Sequence, residues 1–177
     1  MICRLCDCQT SRFLSLGSCP SPTRLLRPEQ LSRVEPDYPM DLTWCERCWI
    51  VQSEATIPPA DIFTVYPYSS SIATTTRKHF EELAQTLTHH CPPRSVVVEI
   101  GSNDGVLQRP LRERGIRVIG GEPARNICEL AWADGLETLN QFFTNETVTN
   151  LGAGSADAVV ACNVFAHIPD LPATIAA

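Results

Sequence analysis

An α/β chain in two parts is predicted by three observations. Cys3-Arg-Leu-Cys6 and Cys45-Glu-Arg-Cys48 form two C-x2-C pairs. After Arg94 the pattern alternates between β-branched runs and helical periods. A turn bearing two glycines follows the first of those runs. The expected architecture is a small zinc-ribbon-like domain over residues 1–56, a connector and linking helix over 57–94, and part of a Rossmann-like parallel sheet over 95–177.

The N-terminal part holds six of the nine cysteines, several prolines and few long apolar periods, so a core of its own is out of reach and a staple is needed. Each C-x2-C turn aims two thiolates at one point about 2.3 Å from each sulfur, and two such turns complete a tetrahedral site. The expected ligands are Cys3, Cys6, Cys45 and Cys48, with the 38 residues between Cys6 and Cys45 as a loop inserted between the knuckles. Four sulfurs leave no open position, so the zinc is expected to be structural. The alternative is unligated cysteines or one redox-active pair; Cys8 and Cys19 offer further thiols and leave the ligand set open.

Residues 57–73 read as an irregular connector. In "TTTRKHFEELAQTLTHH", Phe80, Leu83, Ala84 and Leu87 recur at helical spacing, a threonine from Thr74–Thr76 is expected to cap the helix, and "CPPR" ends it. Val96–Val98 and Ile100 make a first strand buried on both faces, interrupted by Glu99. A helix runs on to Arg114 with Gly115 as its stop, and Pro110 is expected to confine its regular part to the C-terminal side. "IRVIG" is a second strand. "EPARNICELAWADG" is a second helix, with Ile127, Leu130 and Ala131 inward and Gly135 as its C-cap. "LETL" and "DAVVAC" are the third and fourth strands, and "DLPATIAA" opens another helix. Right-handed crossovers place the strands in the order 3-2-1-4, with the fourth at an edge.

The turn in "VVVEIGSNDGVL" has the spacing Gly101-Ser-Asn-Asp-Gly105 behind Glu99. That spacing is wrong for the pyrophosphate loop G-x-G-x-x-G and close to the E/D-x-G-x-x-x-G loop used for S-adenosylmethionine (SAM). Glu99 can accept from the cofactor's ammonium, while Gly101 and Gly105 let the backbone turn and approach. Asn103 tolerates the left-handed region better than most residues. Glu122, 23 residues after Glu99, stands where a carboxylate takes both ribose hydroxyls. The bland alternative is an ordinary strand-to-helix turn plus a solvated glutamate.

The strings "CRLC", "YPMDLTWCERCWIVQ", "YPYSSS" with His79 downstream, "VVEIGSNDGVL", "VIGGEPARNI" and "CNVFAHIPDL" together resemble the zinc-containing, SAM-dependent sugar C-methyltransferases of deoxysugar biosynthesis. The resemblance implies methylation of carbon 3 of a nucleotide-linked 4-keto-6-deoxysugar through an enolate. It also implies a further C-terminal domain, which this sequence is expected to lack, leaving it catalytically incomplete or completed by another polypeptide. By the same resemblance Tyr66 and Tyr68 lie near the sugar, where a phenol can donate to the enolate oxygen; from the residues alone the favoured reading is two aromatics anchoring the connector to the core. His167, just after the fourth strand, stands equally for a substrate contact or proton relay and for a locally bonded histidine. Asn163 is a candidate cofactor or substrate contact. Phe142 and Phe143 fit either an adenine site or the core, and His89 and His90 are expected to be solvated.

A net charge of −6 without a basic block argues against nucleic acid, and no apolar run reaches the length of a membrane span. With no secretory pattern in "MICRLCDC", a cytoplasmic protein is expected. The competing class is a non-enzymatic zinc-stapled module that binds a partner through its open sheet edge.

Overall fold

The computed structural model describes residues 1–54, 57–152 and 154–176. In chain order the elements are β1 (Ser11–Pro20), β2 (Asp37–Trp44), β3 (Val51–Ser53), α1 (Pro59–Phe63), α2 (Thr74–Leu87), β4 (Val96–Ile100), α3 (Gln108–Glu113), β5 (Arg117–Gly121), α4 (Arg125–Ala133), β6 (Thr138–Leu139), α5 (Asn145–Leu151), β7 (Ala158–Ala161) and α6 (Leu171–Ala176). They group into two compact units, one of Met1–Ile62 with Ile168–Ala176, the other of Phe63–His167.

The first unit contains an antiparallel sheet in the order β1-β2-β3, which the sequence reading did not anticipate. β1 is exposed along nearly its whole length, and its register with β2 shifts twice, between Arg12 and Leu14 and between Ser15 and Ser18. Buried Gln52 on β3 reaches the N-terminal turn. Its Oε1 accepts from the Arg4 amide at 3.0 Å and its Nε2 donates to the Ile2 carbonyl at 3.2 Å.

The second unit is the expected parallel sheet, in the order β6-β5-β4-β7, which is 3-2-1-4 in sequence terms. Val96–Ile100 pair in register with Arg117–Gly121, and Val97–Ile100 pair with Ala158–Ala161. β4 is therefore flanked on both sides, and Val97, Val98 and Ile100 are buried as a central parallel strand requires. Phe80 and Ala84 of α2 pack with Val97, Leu107, Leu111, Ile116 and Val118, and Leu83 and Leu87 close the edge of that cluster.

Several local expectations are corrected. The threonines lie inside the first turn of α2, whose N-cap is Ala73 without a side-chain bond; Thr74 instead accepts from Arg77. Pro110 sits within the first turn of α3, where a missing amide donor costs little. Cys128 rather than Leu130 joins Ile127 and Ala131 on the buried face of α4; Leu130 is exposed. α5 was not anticipated, and it is opened by Thr144, whose hydroxyl accepts from the Thr147 amide. Gly115 and Gly135 do end α3 and α4 in the left-handed conformation: the amides of Ile116 and Leu136 reach back to the carbonyls of Leu111 and Ala131.

Gly105 has φ +82°, and a Cβ there would run into Leu136 Cδ1, whereas Gly135, with φ +66°, faces open space. Both positions carry the left-handed penalty, but only Gly105 adds a packing clash. Gly105→Ala should therefore destabilise the protein by about 1–3 kcal/mol and by clearly more than Gly135→Ala, as read by urea denaturation; equal losses would contradict the packing seen around Leu136.

Candidate functional site

The N-terminal cysteines meet as expected. The Sγ atoms of Cys3, Cys6, Cys45 and Cys48 all lie within 4.8 Å of one another, with Cys3–Cys48 and Cys6–Cys45 at 3.5 Å. A tetrahedron of sulfurs about 2.3 Å from zinc has edges of about 3.8 Å, so this donor set fits the ion. The two knuckles repeat one backbone design. The Asp7 and Trp49 amides donate to the carbonyls of Cys3 and Cys45, while the Cys3 and Cys45 amides donate to the carbonyls of Cys8 and Ile50. Each turn closes through a left-handed residue, Asp7 at φ 58° and Trp49 at φ 63°. Amide donation from Cys48, and further from Arg47, brings the Cys45 thiol down to about 7, while the neighbouring Cys6 and Cys48 thiols are shifted up, so the close thiols hold their protons unequally. Cys8 and Cys19 stand outside the cluster; Cys8 Sγ accepts from Arg47 at 3.5 Å instead.

The second site is built where β4 and β5 end. Gly101 turns the chain at φ +68°, and its amide and that of Ser102 both donate to the Gly121 carbonyl, tying the turn to the end of β5. A Cβ on Gly101 would meet Val164 Cγ2 at 2.6 Å, so the segment after β7 also leans on this turn. Asn103 adopts φ 49° as its residue type allows.

Glu99 is 2% exposed, and its Oε2 has no hydrogen-bond partner among the described residues. Burial, then the charges of Glu122 and Asp104, push its carboxyl well above the usual range. Glu122 is also buried and shifted up by burial, although two amides counter the shift: Ala124 donates to Oε1 at 2.8 Å and Asn103 to Oε2 at 3.0 Å. Each of those oxygens retains a lone pair. The two acids are thus near enough to sense each other's charge, and acceptors outnumber donors around them. Such a set suits a cationic group at Glu99 and hydroxyl donors at Glu122.

Asp104 was missed from the sequence. It is 1% exposed; its Oδ2 accepts from the hydroxyls of Ser69 and Ser71 and from the Ser71 amide at 3.1 Å. Asn103 holds the same segment, accepting from the Ser70 amide at 2.7 Å and donating to the Tyr68 carbonyl at 3.2 Å. Tyr66 is fastened from the other side by Asn126, which accepts from its amide at 3.1 Å and donates to its carbonyl at 2.7 Å. The ring of Phe63, also missed, lies between two expected site residues, 5.7 Å from Tyr66 and 5.6 Å from His167. Tyr66, Tyr68 and His167 are thereby gathered on one unit with the Glu99 turn.

Asn163 is exposed at φ 56°, two residues beyond β7. Phe142 is exposed and Phe143 half-buried, beyond β6. His89 and His90 are exposed, and His79 packs edge-on to Phe80. Among the described residues no helix is long and apolar enough to cross a membrane.

A family model described as a zinc binding domain matches residues 3–63, and one described as a methyltransferase domain matches residues 73–177. The chain is 33% identical over 174 residues to the C-methyltransferase NovU of Streptomyces niveus; the match takes in 96% of this chain and 41% of that protein. The chain therefore spans about 41% of the length of this curated relative. Among solved structures, magnesium protoporphyrin IX methyltransferase (ChlM) from Synechocystis PCC 6803 with bound SAM aligns over 56% of this chain and 50% of its own, at 20% identity and TM-score 0.44. A SAM-dependent methyltransferase from Geobacter sulfurreducens in complex with S-adenosyl-L-homocysteine aligns over 68% and 49%, at 17% identity and TM-score 0.44.

Metal analysis should find one zinc per chain, and Cys45→Ser should lower that stoichiometry. Since binding at a four-thiolate site contributes on the order of 10 kcal/mol of folding free energy, a strong chelator should unfold the β1-β2-β3 unit. The β4-centred sheet should keep its amide dispersion in the same NMR spectrum. Retention of the N-terminal resonances after complete zinc removal would refute the stapling role.

Proposed function

We propose a methyl-transferring role for this chain, which belongs to the methyltransferase domain family by its match over residues 73–177. The proposed reaction is SAM-dependent C-methylation at carbon 3 of a nucleotide-linked 4-keto-deoxysugar, in the cytoplasm. Residues 1–56 are the zinc-binding domain, 57–94 the connector, and 95–177 the N-terminal part of the methyl-transferring domain. The observation that carries the reading is the buried, unpartnered Oε2 of Glu99 beside the left-handed turn at Gly101. Support for carbon as the acceptor comes from the 33% identity to a C-methyltransferase over nearly the whole of this chain.

SAM, when bound, supplies an electrophilic methyl group on a sulfonium. Glu99 would accept from the ammonium of its methionine end, a contact that favours the carboxylate over the protonated form. Glu122 accepts from the ribose hydroxyls with the lone pairs its two amide partners leave free. Gly101, Asn103 and Gly105 shape the turn around the ligand, and Asn163 lies at the end of the neighbouring strand. The phenols of Tyr66 and Tyr68 donate toward the sugar's developing enolate oxygen, and His167 carries a proton or contacts substrate. Zinc on Cys3, Cys6, Cys45 and Cys48 has no part in the chemistry, because four thiolates leave it closed.

A second reading rests on β7. It pairs only with β4 among the described strands, and Val159 on it is 60% exposed. An unpaired edge of this kind suits a zinc-stapled module that adds a strand from a partner polypeptide, whether to complement or to regulate it. Pull-down of a defined partner without any SAM affinity would favour this reading.

Glu99→Gln separates binding from stability. The folded carboxyl titrates above the ordinary value of 4.5, so the native state holds its proton longer than the unfolded chain does. Wild-type stability is accordingly full below about 4.5 and is lost as pH rises through the folded value. Glutamine avoids that loss, so its advantage over wild type should grow with pH above about 4.5, by about 1.4 kcal/mol per unit of displacement. The same variant should bind S-adenosylhomocysteine at least about tenfold more weakly, the loss of a charge-assisted bond. Denaturation curves at pH 5 and pH 8 with calorimetry at pH 8 provide the test. Undiminished binding would remove Glu99 from the cofactor site.

A further inference from the structure

The segment Tyr66–Ser71 has no helix or strand across its tyrosines, yet it is tied at both ends by side chains of the second unit. At one end Asn126, in the first turn of α4, bonds both backbone groups of Tyr66. At the other, Asn103 bonds Tyr68 and Ser70, and Asp104 gathers Ser69 and Ser71. These two anchors are themselves joined. Glu122 accepts from the Asn103 amide through one oxygen and from the Ala124 amide through the other, two residues before Asn126. The bonds close a ring: Tyr66 to Asn126, α4 to Glu122, Glu122 to Asn103, and Asn103 to Tyr68.

We propose that Asn103, Asp104 and Asn126 are positioning residues that hold the Tyr66–Ser71 strap on the turn between β4 and α3, so that ligand binding at Glu122 and ordering of the two tyrosines are coupled. The proposal rests on the cofactor reading above. A diol on Glu122 restrains the carboxylate that links both anchors, and an ordered strap in turn presents Glu122 already restrained. Coupling of this kind is reciprocal: whatever factor the ligand gains from an ordered strap, the strap gains from the ligand.

The test uses the zinc-loaded chain and S-adenosylhomocysteine as probe, with amide exchange followed by NMR. In wild type the probe should slow exchange at Tyr66, Ser70 and Ser71 by at least about fivefold. Asn126→Ala, an exposed site on α4, should speed Tyr66 exchange without ligand, weaken probe binding about 5- to 10-fold, and reduce the probe's protection of Ser70 and Ser71. Asn126→Asp keeps an acceptor for the Tyr66 amide and should recover part of both effects. Ser71→Ala, which removes one hydroxyl from Asp104, should show the same direction from the other anchor. A merely structural Asn126 would lower the melting temperature and leave probe affinity unchanged, which would overturn the proposal. So would wild-type binding without any change in strap exchange, while leaving the cofactor reading intact. Failure of wild type to bind the probe at all would overturn both.

Discussion

A carboxylate inside a sheet is the constraint from which the rest of this structure follows. Glu99 is the penultimate residue of β4, the strand flanked on both sides, and among the described residues one of its oxygens has no donor. A buried acceptor without a partner costs on the order of 1–3 kcal/mol, and the neighbouring Glu122 and Asp104 add repulsion rather than relief. A folding requirement alone would replace this residue with valine or isoleucine, as at Val97, Val98 and Ile100. On the proposed cofactor reading a cation completes the arrangement. Around Glu99 stand the left-handed turn at Gly101, the two amides that bond to the Gly121 carbonyl, and the Glu122 carboxylate held by Asn103 and Ala124.

The two units solve the problem of cohesion by different means. The β4-centred unit has an apolar cluster in which helix α2 covers the sheet and α3. The N-terminal unit has an exposed β1, an irregular register and buried Cys3 and Cys45 in place of large apolar side chains. Its cohesion comes from a metal-ligating cluster and from Gln52, which bridges β3 to the first knuckle. The repeated knuckle, with Asp7 and Trp49 in the same left-handed position, shows that geometry at the sulfurs outweighs the usual preference for glycine there.

The parts of the molecule legible in its sequence are those with a local period or spacing. The parallel strands announce themselves as β-branched runs, Gly115 and Gly135 as helix stops, and the four ligand cysteines as paired C-x2-C turns. The Glu99–Gly101–Gly105 spacing identified the turn, and Asn103 was recognised as a residue able to replace glycine. By contrast, Asp104, Asn126 and Phe63 were not singled out, because their partners lie far along the chain; 33 residues separate Asp104 from Ser71 and 60 separate Asn126 from Tyr66. No period within an element encodes such a pairing. The sheet β1-β2-β3 escaped notice because "SRFLSLGSCP" is solvent-exposed on nearly every residue, so the inside-outside alternation that marks a strand never forms. Leu130 was misplaced because Ile127 and Ala131 mark only the centre of the buried arc of α4; Leu130 and Cys128 flank it on opposite sides, and Cys128 takes the buried flank, its thiol donating to the Glu122 carbonyl at 3.1 Å.

The central claim, that Glu99 is held ready for a cation, is tested most directly by a carbon-13 NMR titration of the Glu99 side-chain carboxyl, with and without S-adenosylhomocysteine. The account predicts a midpoint well above that of an ordinary glutamate in the free protein and a marked fall in that midpoint on ligand binding. An ordinary midpoint in the free protein, or one that the ligand leaves unmoved, would contradict it.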